Sequence, residues 1–214
     1  MNLILVGPQG SGKGAQAERL KREFNLAYLS TGEILRELAK QDSPKGREVN
    51  KIINKEGKIV SDQFTIDLVE ETLEKIDWKG GLLFDGYPRG LVQFEALDRY
   101  FIDKGQKIDK VIYLEISDQT AIKRLSSRRI CEQCGAVYNL VTDPSKSFGI
   151  CDKCGGKLIQ RVDDTLQVIK RRLAEYHRLT EPIIAAARRK GILIEIDAEP
   201  PIEIVFKSIL AKLS

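Results

Sequence analysis

The amino-acid sequence predicts an α/β fold built on a parallel sheet, with one inserted segment. Three observations carry this reading. Short apolar runs alternate with stretches of helical periodicity along the chain, the pattern of strand–helix–strand units. A glycine-rich loop joins the first apolar run to the first helical stretch. A segment rich in cysteine and glycine, from Ile130 to about Ile159, interrupts the alternation and therefore reads as an insertion.

Leu3-Ile4-Leu5-Val6 is apolar throughout and bounded by glycine, as a strand buried on both faces should be. A helix is expected from about Lys13 to Phe24, then a short strand at Ala27-Tyr28-Leu29. Ser30-Thr31-Gly32-Glu33 fits a capping box, so a helix carrying Ile34, Leu35 and Leu38 should start there. Pro44 and Gly46 mark a break before a further helix toward Lys55, and Ser61-Asp62 opens another with Phe64, Leu68, Val69, Leu73 and Ile76 in register. After Gly80-Gly81, Leu82-Leu83-Phe84 is a second buried strand, stopping at Asp85-Gly86. A helix around Gln93 to Ile102 leads to a strand from Lys110 to Ile116. Asp118 is expected to cap the helix that carries Ile122 and Leu125. Beyond the insertion, helical pattern runs from about Asp164 to Arg189, Ile192 to Ile196 form a last strand, and Ile202 to Leu213 a last helix.

The 214 residues suffice for one core domain and small insertions. With 42% hydrophobic and 31% charged residues, the chain reads as soluble and globular. A net charge of +4 suits anionic ligands but does not call for nucleic acid. No stretch approaches the ~18 apolar residues of a membrane span. The first residues lack a basic region, and their apolar run ends at the glycine loop, unlike a signal peptide. A cytoplasmic location is the default expectation, with no membrane partner.

Gly7-Pro8-Gln9-Gly10-Ser11-Gly12-Lys13 fits G-x-x-x-x-G-K directly after a strand and at the start of a helix. Glycines there let successive backbone N–H groups turn inward around phosphate oxygens. The helix N-terminus adds positive dipole, and Lys13 reaches the outer phosphates. A glycine turn with a surface lysine is the plain alternative; the flanking strand and helix argue against it. Position 14 is glycine, where the usual loop has Ser or Thr as a direct magnesium ligand. Magnesium must then be held through water and acidic residues elsewhere. Asp85, at the carboxyl end of a strand, is the best placed, because ligands of open α/β sheets collect there; a turn residue in Asp85-Gly86 is the plain alternative, and the family resemblance below favours the magnesium role.

Cys131, Cys134, Cys151 and Cys154 form two Cys-x-x-Cys pairs, a spacing that fits a zinc site, with free thiols or disulfides as the plain alternatives. Each pair is followed by glycine, consistent with tight knuckles whose amides face the sulfurs. Four thiolates close a tetrahedral site with no open position, so the zinc would be structural and would hold an insertion too small for its own core.

At Gly7–Gln16 the sequence resembles the adenylate kinase family. The likeness continues through Ser30-Thr31-Gly32 with Leu35-Arg36, Asp85-Gly86-Tyr87-Pro88-Arg89 with Gln93, Arg128-Arg129, and Arg161-Val162-Asp163-Asp164. The resemblance implies a P-loop nucleoside monophosphate kinase fold: a five-stranded parallel sheet with helices on both faces and an inserted zinc-binding lid. It divides the chain into a core at 1–29, 61–127 and 161–214, an AMP-binding segment at 30–60, and a lid at 128–160. It also implies reversible conversion of ATP and AMP to two ADP, for adenine nucleotide homeostasis, by a monomer using Mg2+ with ATP and structural Zn2+. Gly10, Ser11, Gly12, Lys13, Gly14 and Ala15 would then hold ATP phosphates, with Pro200 near its adenine. Thr31, Leu35, Arg36, Val60, Gly86, Arg89 and Gln93 would bind AMP, Gln93 reading the adenine edge and the two arginines gripping the phosphate. Arg124, Arg128, Arg161 and Arg172 would surround the transferring phosphoryl, the first two from the ATP side and the last two from the AMP side. Asp163 and Asp164 would complete lid closure.

Arginine suits this work, since phosphoryl transfer needs fixed charge and position more than a nucleophile. His177, the single histidine, is accordingly read as structural. The chain departs from the family pattern at Gln9, where proline is usual, and at Ala15, which lacks the usual threonine hydroxyl. It departs again at Gly90, at Ala198-Glu199-Pro200-Pro201, and by one extra residue between Gly46 and Gly57. Weaker or altered donor-base preference is therefore expected. One rival is a related kinase with a different base. Another is a P-loop ATPase whose knuckles bind nucleic acid, which sits poorly with the few bases and aromatics at 131–160.

Overall fold

The fold is described from a computed structural model covering residues 1–55, 60–161 and 164–213, with only the backbone at 54 and 55. Strand β1 (Asn2–Val6) leads through the glycine loop to α1 (Lys13–Glu23), β2 (Ala27–Ser30) and α2 (Thr31–Lys40). Next come α3 (Pro44–Asn50), a π-helical turn (Lys51–Lys55), α4 (Asp62–Leu73), β3 (Leu82–Asp85), α5 (Leu91–Asp103), β4 (Lys110–Glu115) and α6 (Asp118–Ser126). The insertion contributes β5 (Arg128–Cys131), β6 (Val137–Asn139) and β7 (Leu158–Ile159). The chain closes with α7 (Leu166–Leu179), α8 (Glu181–Arg189), β8 (Leu193–Asp197) and α9 (Ile202–Leu213).

The main sheet has five strands in the order β2-β3-β1-β4-β8, every pair parallel. Because side chains alternate across a strand, its apolar runs serve two cores. Leu3 and Leu5 join Leu83, Ile112 and Leu114 against α1, α6, α7 and α9. Ile4 and Val6 join Leu82, Phe84 and Val111 against α4, α5 and α8. Parallel strands buried on both faces are expected to be apolar throughout. The register aligns Leu5 with Asp85 and Asp85 with Ser30. The carboxyl ends of β1, β2 and β3 therefore finish at one edge, where the glycine loop, Thr31 and Gly86 emerge together.

A small separate core lies where Leu35, Ala39, Val49 and Val60 pack with Ile52, Phe64 and Leu68. The insertion is an antiparallel sheet, β6-β5-β7, over a small cluster of Cys131, Tyr138, Cys151 and Leu158 with the partly buried Ala136. No helix among the described residues is long and apolar enough to cross a membrane.

Several expected details are corrected. Ser117, not Asp118, caps α6: its hydroxyl accepts from the Thr120 N–H, and Asp118 is the first helical residue. A helix does start at Thr31, but Ser30 makes no side-chain capping bond. The long helical pattern to Arg189 is two helices, parted at Thr180 and restarted with Pro182 in the first turn of α8. Proline has no N–H for the preceding turn and biases the residue before it away from helix.

Candidate functional site

The glycine loop wraps the start of α1. Gly12 sits at the helix N-cap with φ of 89°, and a Cβ at Gly7 would lie 2.5 Å from the Leu114 carbonyl oxygen. A side chain would strain the first position and clash at the second. Lys13 Nζ folds back on the loop, donating to the carbonyls of Gly7 at 2.7 Å and Pro8 at 2.9 Å. Burial brings its ammonium down to about 8; Asp85 opposes the fall, and Arg172, Arg89 and Arg128 add to it. These charges, separate in sequence, thus converge on one lysine. Ser11 Oγ and Gln9 Oε1 are buried there without a hydrogen-bond partner among the described residues, as befits a cradle shaped for a polar guest.

Asp85 ends β3 facing the loop, and a Cβ at Gly14 would lie 3.9 Å from its Oδ2. The Tyr28 hydroxyl donates to the same oxygen at 3.2 Å. The carboxylate is therefore held beside the position where a hydroxyl is missing. This donor set fits a hydrated magnesium ion, a hard cation that keeps several waters.

On the β2–β3 side, Thr31 Oγ1 donates to the Gly86 carbonyl at 2.7 Å, and Arg89 Nε donates to the same oxygen at 3.0 Å. Thr31, Leu35, Val60, Thr65, Arg89 and Gln93 line one narrow pocket. Arg36 folds along α2, its guanidinium 3.1 Å from where a Gly32 Cβ would stand. Crowding by protein lowers the Arg89 guanidinium, with Asp85 opposing and Arg36 adding. The Arg89 side chain is itself exposed to water.

Across the cleft, Arg128 grips Asp164 with both prongs: Nε to Oδ2 at 2.8 Å and Nη2 to Oδ1 at 2.6 Å. Arg172 Nη1 lies 3.8 Å from the same carboxylate, which is fully buried. The Arg161 carbonyl accepts from the Asp164 N–H at 3.1 Å. Arg124 behaves differently. Its guanidinium donates to the carbonyls of Ala198 at 2.9 Å, Glu199 at 2.8 Å and, more distantly, Gly10 at 3.4 Å. It ties the glycine loop to the β8–α9 connection, which ends at Pro200-Pro201. Asp163 lies outside the described residues. His177 bridges Glu181 at 2.7 Å and Asp118 at 2.9 Å on the protein surface, a structural link, as expected.

The four cysteine sulfurs all lie within 4.8 Å of one another, Cys131 and Cys154 at 3.4 Å and Cys134 and Cys151 at 3.6 Å. A tetrahedral ion with Zn–S bonds of ~2.3 Å sets its sulfurs ~3.8 Å apart, so the cluster fits such an ion. The turns are tight, but the N–H of Gly135 bonds to the Cys131 carbonyl at 3.0 Å and that of Gly155 to the Cys151 carbonyl at 2.8 Å, rather than to the sulfurs. Backbone N–H groups, that of Cys134 foremost, lower the Cys131 thiol. Cys151 falls to about 6, chiefly through the Tyr138 hydroxyl.

Sequence reasoning missed Tyr28, Asp62, Thr65 and Tyr138, which carry no motif; only the fold brings them to these sites.

The sequence model of the adenylate kinase family matches residues 5–192. An adenylate kinase of Caldicellulosiruptor bescii is 42% identical over 213 residues, spanning 100% of this chain and 99% of that relative. One of Fervidobacterium nodosum is 42% identical over 207 residues, 97% of this chain and 94% of the relative. One of Archaeoglobus fulgidus is 41% identical over 213 residues, 100% of this chain and 98% of the relative.

Proposed function

The chain belongs to the adenylate kinase family, and from that premise we propose how its site moves a phosphoryl group. The enzyme is a nucleoside monophosphate kinase: it converts ATP and AMP reversibly to two ADP. The observation that supports the site assignment is that Asp85, Arg89, Arg128 and Arg172 all act electrostatically on Lys13 of the glycine loop, and that Arg89 also lines the Thr31–Gln93 pocket.

In this reading the ATP polyphosphate lies against the amides of Gly10 to Ala15, and Lys13 leaves the loop carbonyls to meet its outer oxygens. AMP occupies the pocket of Thr31, Leu35, Val60, Gly86 and Gln93, its phosphate held by Arg36 and Arg89. Both phosphates then meet in line, and charge spread over the transferring group is met by Arg128, Arg161 and Arg172. No general base is required, because the attacking phosphate oxygen is already ionised. Arg124 holds the loop and the shelf at Pro200, where the ATP base rests. Asp85 would hold magnesium through its water shell, and the bound ion would supply neutralisation of phosphate charge.

The segments at 30–60 and 128–160 close over the nucleotides, excluding water that would otherwise accept the phosphoryl. The cysteine cluster holds zinc, which orders the second segment. The protein acts as a cytoplasmic monomer in adenine nucleotide balance.

A coupled assay pairing ATP with AMP, GMP, CMP and UMP in turn tests this. ADP formation dependent on AMP is expected. ATP hydrolysis at the same rate with and without AMP, and no ADP from AMP, would sink the reading.

A further inference from the structure

We infer that Asp62 is a positioning residue that sets the choice of base in the monophosphate pocket, by locking the orientation of the Gln93 side-chain amide. The inference rests on the reading above that Gln93 meets the purine of the acceptor nucleotide.

Gln93 is 1% exposed, and its amide is held at both ends. Its Oε1 accepts from the Arg89 backbone N–H at 2.8 Å, and its Nε2 donates to Asp62 Oδ1 at 2.7 Å. The chemistry of the partners fixes which end is which. A backbone N–H can only donate, so it must face the oxygen; a carboxylate accepts, so it must face the NH2 group. Turning the amide over would set oxygen against carboxylate and NH2 against N–H.

Each end retains capacity. Oε1 has a second lone pair and Nε2 a second hydrogen, and the side chain lines the pocket with Thr31, Leu35, Val60 and Thr65. The locked amide therefore offers that pocket one acceptor and one donor in a set order. An adenine edge complements it, with the 6-amino group donating and N1 accepting. A 6-oxopurine presents the reverse, a carbonyl oxygen and an N1–H, and matches only the overturned amide. Asp62 and the Arg89 N–H thus turn a side chain of two-fold ambiguity into a reader of amino against oxo purines. Asp62 stands at the exposed start of α4. Water screens its charge there, so its share of the discrimination is moderate.

A plain alternative exists: an acidic residue in the first turn of α4 stabilises the helix dipole and nothing more. The two roles separate in the ratio of kcat/KM for AMP to that for inosine monophosphate, each paired with ATP. Using one preparation for both substrates cancels any difference in the folded fraction. In Asp62→Asn the new side chain can turn its NH2 toward Gln93, making the overturned amide accessible. The AMP preference should fall by about tenfold, below the much larger discrimination that a whole hydrogen-bonding site can reach. Asp62→Ala should lower it too, by removing the lock. Gln93→Met should abolish it. A wild-type ratio in both Asp62 variants with a collapsed ratio in Gln93→Met overturns the role of Asp62 and leaves Gln93 as an unaided reader. A wild-type ratio in Gln93→Met overturns the premise and the inference together.

Discussion

Replacing Arg128 with alanine should damage stability and turnover by separable mechanisms. Its guanidinium makes two charge-assisted bonds, at 2.8 and 2.6 Å, to Asp164, whose side chain has 0% exposure. The pair joins the entry of the insertion at β5 to its exit before α7. Without Arg128, the buried carboxylate loses both of these close bonds, while the longer contact to Arg172, 3.8 Å away, remains. Removing one partner of a buried pair costs about 3–5 kcal/mol. Arg128 is itself 20% exposed, which favours the lower end. At roughly 2–4 °C per kcal/mol for a chain of this size, ~3 kcal/mol lowers Tm by about 6–12 °C. Loss of an arginine that stabilises transferring charge lowers kcat by roughly 10³–10⁵. The double variant Arg128→Met, Asp164→Leu separates the effects: with no buried carboxylate stranded and Arg172 still partly exposed to water, most of the Tm returns while kcat stays low. Thermal melts and steady-state kinetics on the three proteins suffice. Unchanged Tm and kcat in Arg128→Ala would refute both roles, and return of kcat in the double variant would refute the catalytic one.

Zinc analysis should find one ion per chain. Stripping it should loosen residues 128–160 while the parallel sheet stays folded, because thiolate sites contribute on the order of 10 kcal/mol to local folding; metal-free protein with unchanged Tm and activity would count against the structural role. Lys13, at about 8 in the free protein, is driven toward its charged form by polyphosphate, so ATP binding at pH 8 should take up about half a proton. Calorimetry in two buffers reads this, and Lys13→Met should show no such uptake. The bonds to Glu181, and secondarily to Asp118, raise the His177 imidazole. Their stabilisation is therefore complete below the unfolded value of about 6.5 and disappears as pH rises through the folded value. Since the partners are half exposed, the increment is at most ~1 kcal/mol. His177→Gln should remove up to about 2–4 °C of Tm at pH 6, and progressively less as pH rises through the raised folded value.

The alternating layers were legible because each buried strand is a short apolar run, and because glycine at 7, 10 and 12 has few uses other than a phosphate loop. The cysteine spacing named the four sulfurs that the fold clusters. The strands around them were not legible. At two to four residues, they show no period, and packing on the cluster and on Tyr138 decides them. The break at Thr180 was signalled by Pro182 but masked by the strong helical pattern on both sides. Arginine roles were legible only as far as motifs reach. That Arg124 spans three backbone carbonyls depends on the approach of β8–α9 to the loop. That Asp62 meets Gln93 depends on packing α4 against α5.

The reverse reaction tests the central claim most directly, because it needs no second nucleotide. ADP and magnesium alone are mixed with the protein, and the products are followed by phosphorus NMR. Two ADP molecules occupying the two cradles should yield ATP and AMP in equal amounts, without inorganic phosphate, until the same equilibrium is reached as from ATP and AMP. Release of inorganic phosphate in place of ATP, or no change in ADP, would contradict the account.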